Sequence, residues 1–98
     1  MDLHECRKSI DAIDLQIVEL LNRRAAEVKR AGHFKNVASL PLIDHQREAE
    51  IYRRVAAENL GQMETEGLLR IFEQIVAESR KIQSPAARQI VEKGEPVQ

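Results

Sequence analysis

Leu3, Cys6, Ile10, Ile13, Ile17, Leu20, Leu21, Val28 and Ala31 recur at steps of three and four, and no proline interrupts them. This period lines one face of an α-helix and predicts a single helix from Leu3 to about Lys35. At ~1.5 Å rise per residue such a helix is roughly 50 Å long, whereas a compact chain of this size has a radius of gyration of about 13 Å. The helix overhangs any monomer it could build. Its apolar seam needs a partner, and the simplest is a second copy of the chain, because closed two-fold dimers are the commonest way to bury such a surface.

Cations interrupt the seam. With ~100° per residue and Ile10 at zero, Ile17 and Val28 fall within about 20°, Lys35 at roughly 20° and Arg24 at roughly 40°. Arg7 lies about 60° away, at the margin of the stripe. One such side chain is explained by an internal ion pair or by snorkelling to the edge. Three on one helix point to a site for an anion, since unpaired buried charge is costly.

Bulk properties narrow the partners. The 98 residues, 43% of them hydrophobic, suffice for one domain with one core, and 3% aromatic content with no Trp makes that core aliphatic, which suits helix packing. A net charge of −1, from 15 basic and 16 acidic residues, gives no overall positive field for nucleic acid. Cys6 is the single cysteine, so an intrachain disulfide is excluded, and its place in the seam suits a small buried hydrophobe. No apolar run approaches the ~18 residues of a membrane span and the first residues are charged, so no membrane is expected and a cytoplasmic location is.

Beyond the first helix, Gly32 costs ~1 kcal/mol in a helix interior and marks a bend or a close approach. The pattern lapses from Asn36 to Ile43, and Pro41 disfavours helix at Leu40, which predicts a connecting loop. A second helix is expected from about Asp44 to Asn59, anchored by Ile51 and Val55 and ended at Leu60-Gly61 by a C-terminal glycine. Arg47 and Glu48 precede Ile51 by four and three residues and share its face, with Asp44 a turn further back. Thr65 is the expected N-cap of a third helix with Glu66 in its first turn. The stripe of that helix reads Leu68, Leu69, Phe72, Ile75, Val76, Ser79, Ile82 and Gln83, so a hydroxyl and an amide enter its apolar face. Ser84-Pro85 ends the pattern, giving a domain over 1–84 and a tail over 85–98 in which Ala86 to Glu92 could form a short helix.

Each helix therefore carries polar groups on its apolar face: Arg7, Arg24 and Lys35, then Asp44, Arg47 and Glu48, then Ser79 and Gln83. An all-α bundle of three helices per chain would gather them in one pocket. Its cations suit a small dianion or dicarboxylate, which arginines grip through two parallel hydrogen bonds. No Ser-His-Asp or Cys-His arrangement and no glycine-rich phosphate loop is present. His4-Glu5-Cys6 is too small a ligand set for a structural metal site, and His33 and His45 read as solvated, so neither metal nor cofactor is expected.

In RKSIDAIDLQIVELLNRRAAEV, the later Lys35, the DHQRE segment and FEQIVAESRKIQ, the chain resembles the all-helical chorismate mutases over nearly all of residues 3–83. The spacing from Arg7 to Arg24, Lys35, Asp44, Arg47-Glu48, Ser79 and Gln83 is the specific part. The resemblance implies an intertwined homodimer of three-helix chains with two equivalent sites, Arg7 being contributed from the opposite subunit. It implies chorismate as substrate and prephenate as product, in the shikimate pathway to phenylalanine and tyrosine. In that role Arg7, Arg24 and Arg47 would hold the two carboxylates, with Ser79 in support. Lys35 and Gln83 would donate to the ether oxygen, and Glu48, helped by the Asp44 region, would accept from the ring hydroxyl. Two alternatives carry the same resemblance. One is an isochorismate-pyruvate lyase, in which the position of Glu48 is not an acid; the other is a non-catalytic regulatory module, for which the full polar set would have no use.

Overall fold

A computed structural model describes residues 2–83, which form three α-helices: α1 (Leu3–Val37), α2 (His45–Glu58) and α3 (Thr65–Ile82). The described residues contain no strand. The tail expected over 85–98 and its short helix lie outside the described residues.

α1 starts where Asp2 caps it, the carboxylate accepting from the Glu5 amide at 2.8 Å. It continues two residues beyond Lys35, so the expected loop begins at Ala38 rather than Asn36. Pro41 restricts only Leu40, and the chain reverses tightly instead: the Leu40 amide donates to the Lys35 carbonyl at 2.8 Å, with Ser39 at a φ of 57°. Asp44 caps α2 from outside, accepting from the Arg47 amide at 3.0 Å, so the helix proper begins one residue later than expected.

The expected glycine cap on α2 is not used. Asn59 ends the helix in extended backbone, and no described glycine has positive φ. The Asn59 amide ties the turn by donating to the Met63 carbonyl at 2.9 Å and the Thr65 hydroxyl at 3.0 Å. Thr65 is accordingly the first residue of α3 and not its cap; Glu64 stands at the cap position without a side-chain bond.

All eight stripe positions of α3 are buried or half-buried, and α3 is the helix that touches both others. Gly32 permits the closest approach. A Cβ there would lie 2.0 Å from the Gln83 carbonyl oxygen, so the end of α3 rests on bare α1 backbone.

The other half of α1 has no such cover. Every residue from 3 to 23 is exposed, Ile10 at 54% and Ile17 at 48%. Cys6, expected as a buried hydrophobe, is exposed as well. The radius of gyration is 17.0 Å and the long axis 52 Å, set by α1. Among the described residues Val76 is the one buried hydrophobic side chain, so the single core expected from composition is not completed within one chain.

Candidate functional site

The C-terminal half of α1, the 38–44 loop, the start of α2 and the end of α3 enclose a cavity of about 330 Å³, within the size range of small-molecule sites. Val28, Ala31, Ile51 and Val76 supply its apolar wall. Seven of the eight expected polar residues line it: Arg24, Lys35, Asp44, Arg47, Glu48, Ser79 and Gln83. Helical spacing explains the convergence, because Arg24 and Lys35 occupy the face that also carries Val28, and Ser79 and Gln83 follow Val76 on α3. Arg7 is not among them. It lies exposed about 25 Å along the α1 axis from Arg24, a separation fixed by helical rise, so no bending of loops brings it to its own chain's cavity.

The donors are held in register by one another. Arg24 donates to the Ser79 hydroxyl, which in turn donates to the Ile75 carbonyl at 2.8 Å. Lys35 Nζ donates to the Leu42 carbonyl at 2.9 Å and to Gln83 Oε1 at 3.1 Å. Gln83 Nε2 donates to the same Leu42 carbonyl at 2.6 Å. An ammonium has three donors and an amide nitrogen two, so Lys35 and Gln83 each keep one for a ligand. Gln83, 8% exposed, is buried with its polar atoms satisfied.

Electrostatically the cavity favours an anion. Burial lowers the Arg24 pKa first, and the Arg47 charge lowers it further. Two guanidiniums thus repel across a space that a carboxylate would bridge. Among the described residues the ion-pair partner of Arg47 is Glu50 at 3.5 Å. The acidic wall is Glu48, its side chain 14% exposed, whose carboxylate is gripped by Arg80 through Nε at 2.9 Å and through NH2. That pairing is the largest cause holding Glu48 below the usual carboxylate range, outweighing the opposite pull of desolvation.

Arg80 was not foreseen from the sequence, although it follows Val76 by four residues and so flanks the stripe. The Leu42 carbonyl was also missed, since a pattern of side chains says nothing about where a loop turns its backbone oxygen. Among the described residues no group of three or more His, Cys, Asp or Glu could hold a metal ion, and no helix is long and apolar enough to cross a membrane.

Over the described residues, fold and site together define an all-helical unit with a cation-rich interhelical pocket. The chorismate mutase type II family matches residues 6–84, and the chain belongs to that family. It is 39% identical over 80 residues to the bifunctional chorismate mutase/prephenate dehydratase of Aquifex aeolicus, covering 78% of this chain and 22% of the relative. The corresponding bifunctional protein of Neisseria gonorrhoeae is 30% identical over 79 residues, 81% of this chain and 21% of the relative. The chain thus spans about a fifth of the length of these two relatives. The chorismate mutase of Methanocaldococcus jannaschii is 30% identical over 89 residues, with 83% of each chain covered. Among solved structures, chorismate mutase (form II) from Thermus thermophilus superposes with a TM-score of 0.80 at 28% identity, covering 83% of this chain and 92% of that one.

Proposed function

We propose that this protein is a chorismate mutase, an isomerase that converts chorismate to prephenate by an intramolecular [3,3] rearrangement. The observation that carries the reading is the convergence of Arg24, Lys35, Arg47, Glu48, Ser79 and Gln83 on one cavity in a chain of this family. A pericyclic rearrangement passes through no covalent intermediate, so the chain's groups need only orient the substrate and meet developing charge. Arg24 and Arg47 hold carboxylates, which keeps the enolpyruvyl side chain folded over the ring. The free donors of Lys35 and Gln83 meet the breaking ether oxygen, where negative charge builds up. Glu48 accepts from the ring hydroxyl, and Asp44 fixes the start of the helix that presents it.

The active assembly in this reading is an intertwined homodimer. The exposed seam of α1 pairs with a second copy, and Arg7 of each chain enters the other's cavity to complete the grip on the substrate. Two features support it: the apolar face over 3–23 lacks cover in one chain, and the expected arginine is the one polar residue the cavity lacks.

Incubation of the pure protein with chorismate and, separately, with isochorismate tests the reaction. Prephenate formed from chorismate without release of pyruvate from isochorismate is the expected result. Pyruvate as the main product would replace the mutase with the lyase. Absence of both products would leave a binding module.

A further inference from the structure

Arg80 stands outside the set of residues expected to touch substrate, yet it grips a carboxylate of the cavity wall through both oxygens. From α3 it reaches Glu48 on α2, Nε to one carboxylate oxygen at 2.9 Å and NH2 to the other. This is the bidentate, planar arrangement that fixes a carboxylate in both position and rotation. Glu48 needs such fixing. It lies in the first turn of α2, where His45 is 3.9 Å away on a solvent-exposed side chain and the capping Asp44 carboxylate repels it. Among the described residues its side-chain hydrogen bonds are those from Arg80.

We infer that Arg80 is a positioning residue for the rearrangement, holding the Glu48 carboxylate ionised and turned toward the cavity so that it accepts from the substrate's ring hydroxyl. The inference rests on the mutase reading and deepens it. Each carboxylate oxygen carries two lone pairs, so a guanidinium on both oxygens leaves acceptor capacity for the hydroxyl. Lysine cannot replace this grip, because one ammonium is a point charge and leaves the carboxylate free to rotate.

The groups facing Glu48 are Arg80 from α3 and His45, Asp44 and Tyr52 from α2; Glu73 of α3 lies beyond, acting on Tyr52. Of these Arg80 has the largest influence on the carboxylate's ionisation, and its removal leaves desolvation and Asp44, both of which raise the Glu48 pKa, against His45 alone.

The test compares wild type with Arg80→Leu, Arg80→Lys, Glu48→Gln and the double variant Arg80→Leu/Glu48→Gln. Two readouts are taken: kcat and KM for chorismate from pH 4 to 8, and the Glu48 carboxyl titration by carbon-13 NMR. Arg80→Leu should lower kcat roughly ten- to hundredfold, the scale of loss for a misplaced catalytic group, with a smaller change in KM. Its Glu48 titration and the acid limb of kcat should move upward together. Arg80→Lys should restore the low titration but only part of kcat. In the Glu48→Gln background, Arg80→Leu should change kcat by less than about twofold, as two residues acting as one unit require. Equal losses in both backgrounds, or an unmoved titration in Arg80→Leu, would overturn the inference. A wild-type protein inactive on chorismate would sink the mutase reading and this role with it, whereas an active wild type with Arg80 silent sinks this role alone. Arg80 is 40% exposed, and circular dichroism of both Arg80 variants reports whether the helices persist.

Discussion

The two halves of α1 carry the same hydrophobic period and meet opposite fates. From Arg24 onward the helix is covered by α3 and lines a polar cavity; from Leu3 to Arg23 its Ile and Leu side chains stand in solvent. An amphipathic stripe is therefore a statement about an assembly and not about a chain. The covered half shows what the stripe is for when its partner is local: Gly32 admits the backbone of α3, and Arg24 and Lys35 find acceptors. In the proposed dimer the bare half receives the same service from a second copy.

Charge placed in the bare half should have the largest effect. Ile17→Asp would bury one carboxylate from each chain in the proposed dimer seam, and two-fold symmetry doubles a penalty that is already several kcal/mol per unpaired ion. Sedimentation should show monomers and activity should vanish; an intact, active dimer would break the contrast between the halves. Next comes the covered half, where Lys35→Ala removes the donor proposed for the ether oxygen. Preorganised donors of this kind contribute roughly 2.7–4 kcal/mol, so kcat should fall about a hundred- to a thousandfold in a folded protein. Unchanged turnover would contradict the role of Lys35.

The three-helix fold and most of the candidate site were legible in the sequence because both are written in helical spacing. Every inward position from Leu68 to Gln83 obeys it, and six of the eight polar residues reach the cavity by it, with Asp44 reaching it as the cap of α2. What escaped is governed by other physics. The caps failed at Gly61 and Thr65 because the Asn59 amide outcompetes both, a choice set by three-dimensional reach across the turn. The Glu48–Arg80 pair joins residues on two helices whose relative rotation no single-helix pattern fixes.

A smaller effect sharpens the account of the covered half. Gly32→Ala gains up to ~1 kcal/mol of helix propensity. It also drives a Cβ to 2.0 Å from the Gln83 carbonyl oxygen, and overpacking of this sort costs about 1–3 kcal/mol. The neighbour is backbone and cannot swing aside, so the net sign should be destabilising, seen as a lower denaturant midpoint and reduced kcat as Gln83 is displaced. A variant of wild-type stability and rate would show that α3 does not need this approach.

The smallest effect is on pH. The folded-state pKa of Glu48 is lowered, so the stability it contributes is complete above the ordinary glutamate value of about 4.3 and is lost as pH falls through the lowered value. Acid unfolding of Glu48→Gln should therefore lack that component. Because an amide donates at any pH, activity of the wild type should be level between pH 5 and 8. A steep loss across that range in an intact dimer would argue against Gln83 as donor.

The central claim is that each cavity is completed by Arg7 of a second chain, and subunit mixing tests it directly. Arg7→Ala and Arg24→Ala chains, each nearly inactive alone, are unfolded together and refolded as an equal mixture. Half of the dimers are then mixed, and each mixed dimer has one cavity with both arginines, so about a quarter of wild-type activity should return. A mixture no more active than its two components would contradict a shared site.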